Sequence, residues 1–158
     1  MRTAGIYILS VVLLFAPCCT PQKGLNGNDV MFSIETTQCM GNCPVYRAEI
    51  YKNGFIVYEG KMYVEKIGMY TGKLSSRKIN ELENLFMESE FFSLKDEYIE
   101  PWTDLPTTYI YYSDGTKHKR IKDYYGAPEE LKTLEKKVKQ IIDSANLKPK
   151  PGKFLLNR

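Results

Sequence analysis

The chain has 158 residues, which is enough for one compact domain and too few for two comfortable ones. Lys and Arg number 22 against 19 Asp and Glu, so the formal net charge of +3 excludes the strongly basic class of nucleic-acid-binding proteins. A hydrophobic content of 43 % excludes a disordered chain, and the single histidine, His118, excludes any site that needs two imidazoles from one chain.

The N-terminus has the features of an export signal. Arg2 precedes an apolar run over residues 6–16, which is too short to span roughly 30 Å of hydrocarbon. Two cysteines follow the run, and this order resembles the lipobox of bacterial lipoproteins, in which the signal is cut before a lipid-bearing cysteine. Cys19 is preferred to Cys18, because cleavage before Cys18 would have to follow a proline. We expect a lipoprotein signal peptide over residues 1–18, with an ordinary secretory signal as the alternative.

A tether and a series of strands follow the signal. Residues 19–29 are polar and contain glycine, which predicts a flexible tether. Alternation of apolar and polar residues then predicts strands over 30–36 and 44–52, and Asn53-Gly54 predicts a tight hairpin into a third strand. Gly60-Lys61 permits another turn into a fourth strand over 62–70. The first half of the domain is therefore predicted to be an antiparallel meander.

The second half of the domain changes period. Ser75 is typical of a helix N-cap, and apolar residues then recur at helical spacing as far as Phe86. The runs 107–112 and 117–122 predict a second hairpin, and an apolar stripe after Pro128 predicts a final helix. The order ββββαββα predicts a single α+β domain over 30–146, with both helices on one face of the sheet. Residues 147–158 are expected to be a basic, proline-containing tail.

The densest local motif contains Cys39 and Cys43, with Gly41 between them and Pro44 after them. Two thiols at this spacing can form a disulfide, exchange thiols or bind a soft metal. An exported protein is in an oxidising compartment, which favours a structural disulfide.

A copper site is the alternative interpretation of this motif. C-x-x-x-C-P with a distant histidine resembles the copper site of Sco-type assembly proteins, and His118 would supply the imidazole. In that family the cysteines precede a helix, whereas here Cys43 precedes strand residues. We expect no cofactor, with copper bound by these three residues, or thiol-redox chemistry of the cysteine pair, as the alternatives.

No nucleophile elbow, phosphate loop or metalloprotease helix motif occurs in the chain. Exposed residues on loops are the usual carriers of binding, and tyrosines on strands suit peptides or glycans. Residues 95–106 are the longest stretch without clear periodicity and are expected to form a long loop. The candidate binding surface therefore consists of residues on the cysteine segment, this long loop and the second hairpin: Tyr46, Trp102, Asp104, Tyr109 and Tyr111.

Several of these motifs together resemble one family. They are Cys39-x-Gly41-x-Cys43-Pro44-x-Tyr46, Asn53-Gly54, Tyr58-Glu59-Gly60, Asp104-Leu105-Pro106-Thr107 and the Ala127-Pro128 helix start. In this combination the chain resembles the DUF6438 family of domains of unknown function. The resemblance implies a small exported bacterial protein, often a lipoprotein of the Bacteroidota, and assigns no catalytic residue.

The sequence therefore predicts a non-catalytic binding or interaction module of the bacterial cell envelope. We expect it to be anchored to a membrane, the outer membrane in particular, through lipid on its N-terminal cysteine. The expected partner is an envelope protein, with a glycan such as peptidoglycan as the alternative, and no nucleic acid.

Overall fold

The computed structural model describes residues 27–101 and 104–151, which contain one sheet of eight strands and two α-helices. Two short 3₁₀-helices cover Gly27–Asp29 and Phe91–Ser93. The strands are β1 Val30–Thr36, β2 Val45–Tyr51, β3 Phe55–Met62, β4 Gly68–Lys73, β5 Glu97–Tyr98, β6 Thr108–Ser113, β7 His118–Asp123 and β8 Lys148–Pro149. The helices are α1 Ser76–Glu88 and α2 Glu129–Asp143.

The strand order in the sheet is β5-β7-β6-β1-β2-β3-β4-β8. Strands β1 to β4 are sequential neighbours and pair antiparallel, as expected for a meander. The β6–β7 hairpin pairs with β1 on its other side, so the chain returns to the sheet beside its first strand. The broad α+β class is confirmed.

Both helices contribute to one hydrophobic core, which lies on one face of the sheet. Alternate residues of the central strands point into this core, and Leu82 and Phe86 of α1 and Leu131 and Val138 of α2 meet them. An aromatic cluster lies at its centre: the Phe86 ring centroid is 4.5 Å from that of Tyr112. The period of two on the strands and of about 3.6 on the helices therefore brings these apolar faces together.

The helix starts follow the sequence. The Ser75 side chain accepts a hydrogen bond from the backbone N–H of Lys78, so it caps α1 as predicted. Pro128 immediately precedes α2 in an extended conformation, and Glu129 and Glu130 lie in the first turn, where the helix dipole favours negative charge.

The predicted turn at Gly60-Lys61 is wrong. Strand β3 continues through Gly60, which pairs with Tyr46 on one side and with Gly68 on the other, and the chain turns over residues 63–67. A Cβ atom on Gly60 would lie 1.8 Å from the carbonyl oxygen of Lys66. This glycine is therefore needed for close approach of the following turn, and not for a turn of its own.

The order ββββαββα lacks two short strands that the sheet contains. Glu97–Tyr98 forms β5 and pairs parallel with β7, inside the loop that shows no periodicity. Lys148–Pro149 forms β8 and pairs with Tyr70 and Thr71 of β4, although these residues were assigned to the tail. Two residues cannot show an alternating pattern, so neither strand has a sequence signal.

The sheet has two distinct ends. The loop segments 37–44, 63–67, 99–101, 104–107 and 124–128 lie at one end, which we call the disulfide end. The turns 52–54 and 114–117 lie at the other, which we call the hairpin end. The segment Gly27–Asp29 enters at the hairpin end, where the carbonyl oxygen of Asp29 accepts a hydrogen bond from the N–H of Lys52 at 3.0 Å.

The predicted signal peptide, the first part of the tether and the last residues of the tail lie outside the described residues. Within the described ranges, neither helix is both long and apolar enough to cross a membrane.

Candidate functional site

The cysteine segment forms a small closed loop at the disulfide end. Cys39 and Cys43 are joined by a disulfide, with their Cα atoms 5.8 Å apart. The backbone N–H of Gly41 donates to Cys39 Sγ at 3.2 Å, which folds the loop back on itself. Met40, between them, is 81 % exposed. The loop therefore holds an apolar side chain out into solvent on a rigid support.

Two threonines at the end of β1 fix this loop to its neighbours. The Thr36 hydroxyl donates to the carbonyl oxygen of Pro44 at 2.7 Å and accepts from the N–H of Tyr46 at 3.2 Å. The Thr37 hydroxyl accepts from the N–H of Thr107 at 2.9 Å, and the Thr37 N–H donates to the Thr107 carbonyl oxygen at 3.0 Å. The segments on both sides of β1 are thereby tied to it.

Asp104 belongs to the second of these segments. Its carbonyl oxygen accepts a hydrogen bond of 3.5 Å from the N–H of Met40, so the two loops meet directly. Its backbone has φ +73°, a left-handed conformation that Asp tolerates better than most residues. The two motifs that are 60 residues apart in sequence therefore form one surface.

Exposed apolar residues concentrate at this end of the sheet. Seven large hydrophobic side chains of the described residues are substantially exposed, and all but Met87 lie in the loops of the disulfide end. We call these six the apolar rim: Met40, Tyr63, Ile67, Ile99, Leu105 and Tyr125. Single exposed apolar residues are ordinary, and the concentration of six of them is what distinguishes this end of the sheet from the other.

A pocket of about 250 Å³ adjoins the rim, between the start of β2, the 63–67 turn and one flank of α2. Its lining combines apolar, aromatic and charged side chains: Pro44, Tyr46, Tyr58, Tyr63, Val64, Glu65, Lys66, Lys139, Ile142, Asp143 and Leu147. Tyr63 is 54 % exposed, so its ring forms an accessible wall of the pocket.

Two stacked tyrosines form the inner wall of the pocket. The rings of Tyr46 and Tyr58 are 5.8 Å apart between centroids and 19° from parallel. Burial, and then the Asp143 carboxylate, raise the pKa of Tyr58 to about 12 and that of Tyr46 further. Both phenols therefore remain protonated hydrogen-bond donors at any physiological pH.

Charged residues of α2 complete this pocket. Lys139 pairs with Asp143 one helical turn later, and its Nζ lies 5.9 Å from the centroid of the Tyr46 ring. Both residues are only partly buried, so this pair remains accessible to a ligand that offers donors and acceptors.

Two carboxyl groups are buried beneath α2, close to the pocket. Asp123, at the end of β7, is 1 % exposed and pairs with Lys132, while Glu135 lies beside both. Among the described residues, Asp123 Oδ1 and Glu135 Oε1 have no hydrogen-bond partner. Burial, and then the charge of Asp123, raise the pKa of Glu135 to about 8.

The predicted binding residues do not form one surface. Tyr46 is buried, with 4 % of its surface exposed, and it contributes to the pocket from within. Tyr109 and Tyr111 point to the opposite face of the sheet, where Arg120 lies over the Tyr109 ring at 4.2 Å and Tyr111 packs against a small second cluster. Asp104 lies at the disulfide end, and Trp102 lies outside the described residues.

The structure does not assemble the three residues of the copper alternative. His118 begins β7 at the hairpin end, whereas Cys39 and Cys43 lie beyond the other end of the sheet. A six-residue strand is about 17 Å long from its first to its last Cα, so the imidazole is far from the sulfurs. The ring of His118 instead lies 6.1 Å from that of Tyr111.

Several residues of this site were missed in the sequence: Met40, Tyr63, Lys139 and Asp143. Met40 lies between the cysteines and could have been singled out as an apolar residue in a closed loop. Lys139 and Asp143 are spaced i, i+4 on the polar side of α2, a spacing that is common on solvated helices and so carries little signal. Tyr63 has no sequence signal, because the sequence predicts the turn at Gly60-Lys61 and places Tyr63 within the following strand.

A comparison with protein families identifies the chain. The profile described as Domain of unknown function (DUF6438) matches residues 30–142, which is most of the described domain. The chain belongs to the DUF6438 family. A search of curated proteins finds no match.

The motifs that carried the resemblance to DUF6438 occupy a common region. The cysteine motif, the Asp104-Leu105-Pro106-Thr107 segment and Ala127-Pro128 all lie at the disulfide end, and Tyr58 points into the pocket beside it. Of the quoted motifs, Asn53-Gly54 lies at the hairpin end, where it forms the predicted tight turn with φ +79° at Gly54.

Proposed function

We propose that this DUF6438 protein is an exported, lipid-anchored binding module of the bacterial envelope, and that the disulfide end is its binding surface. The concentration of the apolar rim at one end of the sheet is the observation that carries the proposal. In this proposal the chain is processed before Cys19, residues 19–29 tether the domain, and the protein catalyses no reaction.

Rigid presentation of the rim supports a role in binding. Met40 is fixed by the disulfide and by its hydrogen bond to the carbonyl oxygen of Asp104, and Leu105 follows directly in that loop. A preorganised surface loses less conformational entropy on binding than a mobile one, which favours affinity. Contact with a partner would also remove the exposed apolar area of these side chains from water.

The end of the domain at which the tether attaches is a second argument for the proposed binding surface. The described chain begins at the hairpin end, and seven-residue β1 carries it about 20 Å to the disulfide end. In this proposal residues 19–29 join the domain at its hairpin end, so the apolar rim lies at the end opposite the attachment point. The rim is therefore accessible to a partner in the envelope space.

Site-specific photo-crosslinking tests the proposal. A photoreactive amino acid replaces Met40 or Leu105 in cells that make the lipidated protein, and Asn80, exposed on α1, is the matched control. We expect discrete crosslinked species from both rim positions and none from Asn80. The absence of adducts at the rim, or the same adducts from all three positions, would overturn the proposed binding surface.

A further inference from the structure

We propose that the pocket beside the disulfide loop binds an N-acetylated sugar unit of a glycan. The inference rests on the proposed function, since it names the ligand class of the same end of the domain. The pocket lies against the apolar rim and shares Tyr63 with it, so a glycan chain that fills the pocket can continue across the rim.

The size of the pocket suits a single ring. Its volume of about 250 Å³ falls just below the roughly 300 Å³ at which pockets for larger small molecules begin. The exposed Tyr63 ring stands at its mouth, where it can stack against the C–H face of a sugar ring. The positive φ of Tyr63, 53°, sets the direction of this side chain as β3 ends.

The hydrogen-bonding groups that line the pocket match the hydroxyl groups of a sugar ring. Tyr46 and Tyr58 line the pocket, and their phenol groups are hydrogen-bond donors. Asp143 and Glu65 supply acceptors, while Lys139 supplies a donor. A sugar ring has several hydroxyls, each both donor and acceptor, and can therefore use donors and acceptors together.

The charge of the pocket favours a neutral ligand. Two lysines, Lys66 and Lys139, and two acidic residues, Glu65 and Asp143, line the pocket, so their formal charges cancel. A ligand with a net charge of either sign would meet a like charge as well as an opposite one within the same small volume, so the charge gains little attraction there. A neutral polyhydroxylated ring does not depend on such attraction.

The apolar part of the lining favours an acetyl group on that ring. Pro44, Val64, Ile142 and Leu147 line the same pocket as the polar residues, and hydroxyls alone would leave these side chains unused. The methyl group of an N-acetyl substituent is small enough to bury against them, while its amide can use the phenols.

Calorimetric titration of the full chain in detergent micelles tests the ligand class. The probe is the β-1,4-linked tetramer of N-acetylglucosamine, and the matched control is the glucose tetramer with the same linkage and no acetyl group. We expect the acetylated tetramer to bind at least about tenfold more tightly than the glucose tetramer. Tyr63→Ala and Asp143→Asn should each weaken binding by about five- to tenfold.

Two further variants separate binding from folding. Tyr63→Phe keeps the ring and should retain binding, while Met87→Ala removes an exposed apolar side chain of α1 outside both the rim and the pocket and should change affinity less than about twofold. No binding of the acetylated tetramer, or binding that Tyr63→Ala leaves unchanged, overturns the sugar site. If rim crosslinks persist while the acetylated tetramer does not bind, the proposed binding surface stands and this inference alone fails. If the rim yields no adducts, the binding surface itself fails.

Discussion

The carboxyl groups of Asp123 and Glu135 lie against each other beneath α2, with the ammonium group of Lys132 beside them. Asp123 is fully buried and Glu135 is only 12 % exposed, so water screens neither charge well. A single ammonium group balances the charge of only one carboxylate, and one oxygen of each carboxyl group remains without a hydrogen bond from the described residues. A proton on Glu135 relieves this repulsion.

This arrangement predicts a pH-dependent stability. Because burial and Asp123 raise the pKa of Glu135 from 4.5 to about 8, the folded protein binds a proton that the unfolded chain releases between these pH values. The free energy of unfolding should therefore fall as pH rises from about 5 to about 8. Glu135→Gln should flatten this dependence and stabilise the protein by about 1–3 kcal/mol at pH 8.

Urea unfolding of the purified protein at both pH values measures this effect. Glu88→Gln, at an exposed position of α1, is the control and should leave the pH dependence unchanged. A Glu135→Gln variant whose stability follows the same pH curve as the parent protein would contradict the assignment.

The Cys39–Cys43 disulfide should contribute modestly to stability. Replacing both residues with serine should lower the free energy of unfolding by about 2 kcal/mol, because the bond closes a short loop in the unfolded chain. Mild reduction of the parent protein should cause the same loss and none in the double variant. Peptide mapping that finds free thiols at both positions in the mature protein would argue against the bond and reopen the redox alternative.

Gly60→Ala should be strongly destabilising, by about 3 kcal/mol, because its Cβ would collide with the backbone of the 63–67 turn. Gly41→Ala is the matched control, since a Cβ there meets only Cys39 Sγ at 3.8 Å, an ordinary contact. Thermal unfolding of both variants is the measurement. Equal losses at the two glycines would mean that the close approach of Lys66 is not a constraint.

Phe86→Ala should lower the free energy of unfolding by about 3–5 kcal/mol. The Phe86 ring packs between Phe32, Phe91 and Tyr112, so its removal leaves a cavity in the aromatic cluster. Met87→Ala changes the next residue, which is 63 % exposed, and should cost no more than about 0.5 kcal/mol. Chemical unfolding midpoints distinguish the two. Similar losses of stability in the two variants would contradict the placement of Phe86 in the core.

Elements with a strong repeating pattern could be predicted from the sequence. Strand β1 alternates only from Phe32 to Thr36, because an irregularity at its start places Met31 in the main core and Val30 in the small second cluster. Helix α2 shows an apolar stripe over four turns, so many of its residues agree. Ser75 and Asn53-Gly54 act locally through a cap and a turn, and their roles need no distant partner. These signals depend on residues that are close together in sequence, so they can be recognised without knowledge of the fold.

The site depends on contacts that are distant in sequence. Met40 and Asp104 are brought together by strand pairing across β1 and β6, and the pocket joins β2, the 63–67 turn and the polar flank of α2. Glu135 has no unusual neighbour in sequence, and its pKa is raised first by burial and then by the charge of Asp123 on another element. Tyr109 and Tyr111 also show the limit, because the sequence places them on a strand without saying which face the helices cover.

Length, composition and charge by themselves determined that the chain forms one modest domain with little net charge. The repeating patterns of apolar residues determined most of its strands and both helices. The tertiary structure decided which loops share an end, that six exposed apolar residues gather there, and that two carboxyl groups are buried together. The physical reason is the separation along the sequence over which each interaction acts. Propensity, capping and alternation act between neighbours in sequence, whereas burial and the proximity of charges depend on which strands pair.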